Sequence, residues 1–361
     1  MAARGIYNMQ LPSHTDISGG FLQSSVAAFR LINDELGQVK ELINEQLACC
    51  PDEIGVRRLV EYQNSCGGKM LRPGLVLLSG GAVGTITDKH IRIAGIVEMI
   101  HNATLLHDDV IDGGQRRRGQ ATVNSMWGNE SAVLLGDFLL SKVFRMCADL
   151  EPEVVKIIAA AAARTCEGEL MQIAQRENWQ LKEGKYIAII TEKSAALLSS
   201  CCQLGGLLAG AGEVEVRLLS DFGLNLGIAF QINDDLLDII GDEATTGKTL
   251  GSDVDKNKLT LAVIHLLSVM EEERKGSVIN SLRVKCGSYG VKGGAQQYIS
   301  DGQYDKAGFV EMLRFYGSLE YAYSGAQEFV AKAIASLAGL RESDAKEALI
   351  ETARFIGRRG K

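Results

Sequence analysis

Apolar positions return every three or four residues along most of the chain, as in the row Ile93, Val97, Ile100 and Thr104, and again in Leu219, Phe222, Leu226 and Phe230. That spacing puts them on one side of an α-helix. Sustained apolar–polar alternation, which half-buried strands need, is hard to find, so the pattern predicts an all-α fold. Glycine-containing breaks at "SCGGK", "SGGAVG", "DGGQ", "LAGAGE" and "GDEATTGKTLGS" separate the helices. The prolines are Pro12, Pro51, Pro73 and Pro152, so nothing after Pro152 forbids long uninterrupted helices. Residues 1–20 read as a frayed tail ahead of one large helical domain spanning 21–361, and the stretch near 285–305 reads as a polar loop.

One short pattern recurs on this helical background: "DDVID" at 108–112 returns as "DDLLD" at 234–238. Residues four apart share a helix side, so Asp108 and Asp112 project together, as do Asp234 and Asp238. Unneutralised, such pairs repel. Magnesium prefers oxygen ligands, keeps several waters and bridges carboxylates to a substrate phosphate, so it answers both motifs. A solvated acidic face is the alternative for one motif; two copies, each ending a strongly apolar helix, weigh against it. If those helices cross a bundle antiparallel, six carboxylates (Asp108, Asp109, Asp112, Asp234, Asp235 and Asp238) line one cavity mouth and hold several metal ions. Their role is then electrostatic, taking up charge that develops on a polyphosphate leaving group.

Charge and composition narrow the partners. A net charge of −7 argues against nucleic acid, which calls for a basic face. Anions must therefore be met by local patches. Eight cysteines include two adjacent pairs and no C-x-x-C spacing, which suggests neither zinc nor disulfides and fits a reducing cytoplasm. The first twenty residues lack the apolar core of a signal peptide, and no uncharged apolar run is long enough for a transmembrane segment.

A second anion beside a magnesium diphosphate needs cations on another wall. Candidates are Lys69 and Arg72 in "GGKMLRP", His101, and Arg116 to Arg118 in "QRRRG". Each could instead decorate a solvated surface. Lys193, a lone cation among small and apolar residues in "TEKSAALLSS", reads as a phosphate contact. Lys248 and Lys258 flank the segment after the second motif and could close over a diphosphate or sit in an ordinary loop. His107 reads as a packed helix residue.

Together, "GGKMLRP", "EMIHNATLLHDDVIDGGQRRRGQATVNSMWGNESAVLLGD", "TEKSAALL", "FQINDDLLDIIGD", "GKTLGSDVDKNKLTL" and the closing "ARFIGRRGK" resemble the trans-isoprenyl (polyprenyl) diphosphate synthases over nearly the whole chain. The resemblance implies a single bundle of long antiparallel helices around a deep central cavity, usually as a homodimer. It implies that Asp108 and Asp112, with Asp234 and nearby Asp238, hold three magnesium ions on an allylic diphosphate. Arg117, Lys193, Gln231, Lys248 and Lys258 match contacts to that diphosphate, and Lys69, Arg72, His101 and Arg118 match the isopentenyl diphosphate pocket. Arg116 matches no role. Asn257 stands where the family usually has glycine, Thr249 and Ala262 where it often has proline, and Ser194 where it often has threonine.

The implied reaction is head-to-tail condensation: ionisation of the allylic diphosphate, attack by isopentenyl diphosphate and loss of a proton. Product length should follow the cavity under the first motif. One isoprene unit is about one helical turn, roughly 5 Å, and the residues one turn below Asp108 are the small Thr104 and Ala103. A medium- or long-chain product follows, with Ile100, Phe138 and Phe144 as candidate floor residues. A class I terpene cyclase would not need the isopentenyl pocket, and a non-catalytic subunit of a hetero-oligomeric synthase should have lost part of one motif.

Overall fold

The computed structural model describes residues 28–48, 54–65, 68–117, 119–241, 256–286 and 306–358. The expected tail, most of the expected polar loop, Arg118 and Lys248 lie outside them. Helices α1 (Asn33–Ala48), α2 (Ile54–Ser65), α3 (Leu71–Val83) and α4 (Asp88–Ile111) come first. Strands β1 (Arg116–Arg117) and β2 (Gln120–Ala121) lead into α5 (Val123–Cys147), α6 (Pro152–Ala174), α7 (Glu183–Ile190) and α8 (Ala196–Leu208). Then follow α9 (Glu213–Ile240), α10 (Leu261–Val269), α11 (Glu272–Cys286), α12 (Lys306–Phe315), α13 (Ser318–Ser336) and α14 (Asp344–Arg358). The all-α expectation holds, apart from an antiparallel pairing of Arg116 with Ala121 and Arg117 with Gln120. The chain reverses there at Gly119, whose φ of 79° most side chains resist.

Helix α9 is the axle. Its first turn carries Glu213 and Glu215, which suit the positive end of the helix dipole, and the Glu215 carboxylate accepts the Gly212 N–H at 3.0 Å. Leu219, Phe222 and Leu226, all fully buried, join a core shared with α1, α3, α4, α5, α8 and α14. Further along, Ile228, Ile232, Leu236 and Ile239 enter a second core with α7, α10 and α13. One helix therefore ties both cores together, and truncating Phe222 to alanine should cost about 4 kcal/mol. Among the described residues no helix is long and apolar enough to cross a membrane.

Helix α4 starts from Thr87, whose backbone N–H donates to His90 Nδ1 at 3.1 Å, while His90 Nε2 lies 3.0 Å from the Gly205 carbonyl of α8. Its middle is apolar and buried from Ile93 to Ile100 except for Glu98, itself 3% exposed. It stops at Asp112, and Gly113 leaves the helix with a φ of 60°. This delivers the first aspartate motif to the helix C-terminus. The second motif likewise occupies the last turns of α9, which ends at Gly241.

Candidate active site

Both motifs sit where the helix dipole is negative, the least favourable place for carboxylates. Each must be compensated, and the structure does so differently in the two places.

At the first motif the partners are cations brought from distant segments. Arg117 grips Asp109 in a fork, donating from Nε to both carboxylate oxygens at 3.0 Å and from Nη2 to Oδ1 at 2.7 Å. Burial works against the Arg117 charge, but Asp109 outweighs it and holds the guanidinium above its ordinary value. Asp112 accepts from Arg176 Nη2 at 3.1 Å and from Lys258 Nζ at 2.7 Å, with Lys256 Nζ 3.6 Å away. Burial would raise its carboxyl; Lys258 and Lys256 overcome that and hold it below the usual range. Asp108 goes the other way: burial pushes its carboxyl up, opposed chiefly by Lys193. A desolvated carboxylate of this kind is a hard oxygen donor that a divalent ion would satisfy.

At the second motif the central acid has neutral hydrogen-bond donors among the described residues. Asp235, 8% exposed, accepts the Tyr186 hydroxyl at 2.6 Å on one oxygen and Gln231 Nε2 at 2.8 Å on the other. Ser194 Oγ donates to Gln231 Oε1 at 2.5 Å. Asp234 and Asp238 stand half-buried on the same helix end, and neighbouring Asn233 donates to the Ile356 carbonyl at 3.0 Å, docking α14 on this motif.

One segment serves both. Between α7 and α8 the helix widens into a single π turn, Thr191–Ala195. It is wedged between α6 and α9, which approach so closely that a Cβ on Gly168 would stand 2.2 Å from the Lys193 nitrogen and one on Gly227 2.5 Å from the Ala195 Cα. Consecutive residues of this turn face the two motifs. Lys193 donates to Gln172 Oε1 at 2.7 Å and pairs with Glu169; burial opposes its charge, yet Asp108 and Glu169 raise it above its ordinary value. Ser194 reaches the Gln231–Asp235 pair.

The remaining expected site residues fall as follows. Lys69 is exposed just before α3, and Arg72 is half-buried in its first turn. Arg72 is also the cation that opposes burial of the Cys201 thiol, which burial pushes far up. His101 is half-buried on α4, seven residues before Asp108. His107 packs against α5, its Nε2 3.2 Å from the Val133 carbonyl and 3.6 Å from Asp137. Arg116 donates back to Gly119 within its own hairpin.

The structure adds to the expectations at three points. Asp109 and Asp235, grouped by sequence with the metal-facing acids, are buried and engaged by Arg117 and by Tyr186 with Gln231. Phe144 is 71% exposed and cannot be a cavity floor, because periodicity alone does not say which apolar stripe faces inward. Among the described residues no three His, Cys, Asp or Glu side chains stand in ready-made chelating proximity. Arg176, Lys256, Glu169, Gln172 and Tyr186 escaped sequence reasoning; for Tyr186 the usable signal was that a buried tyrosine hydroxyl needs a partner.

Comparison with known proteins bears on the whole chain. A family model described as polyprenyl synthetase matches residues 55–289. Octaprenyl diphosphate synthase of Escherichia coli is 34% identical, over 91% of this chain and 97% of that one. A short chain isoprenyl diphosphate synthase of Methanothermobacter thermautotrophicus is 32% identical, over 90% and 98%. A polyprenyl synthase from Caulobacter crescentus, crystallised with calcium and isoprenyl diphosphate, superposes with a TM-score of 0.83 at 31% identity, covering 93% of this chain and 98% of that chain. Members of this family are prenyltransferases that use isopentenyl and allylic diphosphates and depend on magnesium. With the same fold, full-length similarity and both acidic motifs in place, the chain belongs to the polyprenyl synthetase family.

Proposed function

We propose that this protein lengthens an allylic diphosphate by head-to-tail addition of isopentenyl diphosphate. The observation that carries the reading is the π turn, which sets Lys193 towards the first aspartate motif and Ser194 towards the second, so that both acidic helix ends serve one site. Magnesium ions, three in this reading, would neutralise the allylic diphosphate and take up the charge it gains on leaving. Asp108, Asp112, Asp234 and Asp238 are the side chains to hold them, a hard-oxygen donor set suited to that ion. Lys193, Lys258 and Lys248 then contact the leaving diphosphate, Gln231 completes the wall, and Arg117 acts by fixing Asp109. Lys69, Arg72, His101 and Arg118 receive isopentenyl diphosphate. The apolar faces of α4 and α5 shield the carbocation from water, and no side-chain base is required if the departed diphosphate accepts the proton.

Ala103 is fully buried and small, and Thr104 turns its hydroxyl to the His101 carbonyl at 2.8 Å, so neither obstructs a growing chain. Buried Ile100 and half-buried Phe138, with Lys142 Nζ 4.8 Å from its ring, remain as floor residues. This supports a medium- or long-chain product. Leu134 and Phe144 on α5 and Leu170 on α6 are 67%, 71% and 66% exposed, which supports a homodimer formed through these helices, to be checked by light scattering. The deciding assay incubates the protein with magnesium, labelled isopentenyl diphosphate and farnesyl or geranylgeranyl diphosphate and sizes the products. A terminal product of farnesyl length rejects the chain-length reading; no elongation rejects the activity.

A further inference from the structure

Three cations converge on one carboxylate, Asp112. Arg176 occupies Oδ1, while Lys258 and Lys256 converge on Oδ2. Among the described residues, Asp109 is taken by Arg117, and Glu169 and Asp108 share Lys193. Two of the three cations, Arg176 and Lys256, have no part in the proposed function.

The backbone shows that these two segments are shaped to meet. Glu177, next to Arg176, has a φ of 63°, and Asn257, between Lys256 and Lys258, has a φ of 54°. Left-handed backbone is uncommon outside glycine, and asparagine tolerates it best. The two strained residues touch each other: the Glu177 N–H donates to the Asn257 carbonyl at 3.3 Å, and Asn257 Nδ2 donates to Glu177 Oε1 at 3.4 Å. This brace fixes Arg176 beside the lysines. Asn257 is 3% exposed, while Glu177 stands at the surface, so the brace is anchored from its Asn257 end.

A divalent ion on Asp112 would compete with these cations for the same two oxygens and would be repelled by them. A diphosphate removes the conflict, because its oxygens can take the guanidinium fork and both ammonium groups. We propose that Arg176 and Lys256, with Lys258, form a diphosphate clasp that Asp112 holds in place and hands over when a metal-bound diphosphate arrives. The clasp rests on the metal assignment above and adds to it a coupling: each ligand relieves the penalty for the other, so the two bind cooperatively.

The test is calorimetric and needs no turnover. Magnesium chloride is titrated alone, and inorganic pyrophosphate is titrated at saturating magnesium, into the wild type, Arg176→Gln and Lys256→Gln. Removing a clasp cation should tighten magnesium alone by about fivefold and weaken pyrophosphate by about tenfold. Opposed shifts are the signature, since a merely structural role moves both in one direction. Arg176→Lys, which keeps the charge and loses the fork, should restore magnesium affinity fully and pyrophosphate affinity in part. Shifts of the same sign, or none, in both glutamine variants overturn the clasp. Asp112→Asn in the same titrations tests the metal assignment separately: unchanged magnesium affinity there rejects that assignment, whatever the clasp variants do.

Discussion

The two aspartate motifs are spelled almost identically, yet among the described residues their central acids are held in different ways. At 108–112 the central acid is held by an arginine fork and the last by three cations from beyond α6 and beyond α9. At 234–238 the central acid is held by neutral donors, one from its own helix and one from α7. Charged partners from remote segments make the first motif sensitive to anything that competes for charge. Neutral donors from Tyr186 and Gln231 give the central acid of the second motif an anchor that does not depend on competing charge. A site that must both grip and release a diphosphate has a use for each.

The largest effect should come from removing the outward acids. Asp112→Ala and Asp234→Ala should each lower kcat by about a thousandfold in the elongation assay, and full turnover in either would remove that motif from the chemistry. Next, Arg117→Ala leaves the Asp109 carboxylate buried without its counter-charge and should destabilise the fold by about 3 kcal/mol in urea unfolding. Tyr186→Phe removes one hydrogen bond to a charged group at the second motif and should cost about 1.5 kcal/mol in the same measurement. Raising salt should shrink the Arg117 effect and leave the Tyr186 effect in place; equal salt sensitivity would erase the contrast between the motifs. The smallest effect concerns the far end of α4. Burial lowers the His90 imidazole below its ordinary 6.5, so the unfolded chain binds a proton that the folded one refuses. Stability is therefore full above that value and declines as pH falls through and below it. His90→Gln keeps a residue able to cap Thr87 and should flatten this decline in melting curves without altering the response of either motif to magnesium.

The helices and both motifs were legible because their evidence is local: a three-to-four repeat and a four-residue spacing depend only on neighbours along the chain. What the acids pair with was not. Arg176 is 64 residues from Asp112 and Lys258 is 146 away, and nothing in the sequence marks such distances. The burial of Asp109 and Asp235 was not marked by the spacing, because adjacent helix positions diverge by about 100° and one of two neighbouring acids turns inward. Asn257 was visible only as a departure from a family glycine; its φ of 54° supplies the reason, since glycine and asparagine are the residues that accept that conformation. Phe144 shows the complementary limit, since an apolar stripe can be recognised without knowing whether core or another chain covers it.

The five-residue widening after α7 makes chain length, more than side-chain identity, the vulnerable quantity at that point. Deleting one residue within 191–195 would let ordinary helix close across the gap, leaving the flanking helices in phase but losing the extra residue that lets Lys193 and Ser194 reach the two motifs. Substitutions there are absorbed one contact at a time, whereas a single codon lost would uncouple the two acidic helix ends together, so relatives should vary in spelling here far more readily than in spacing.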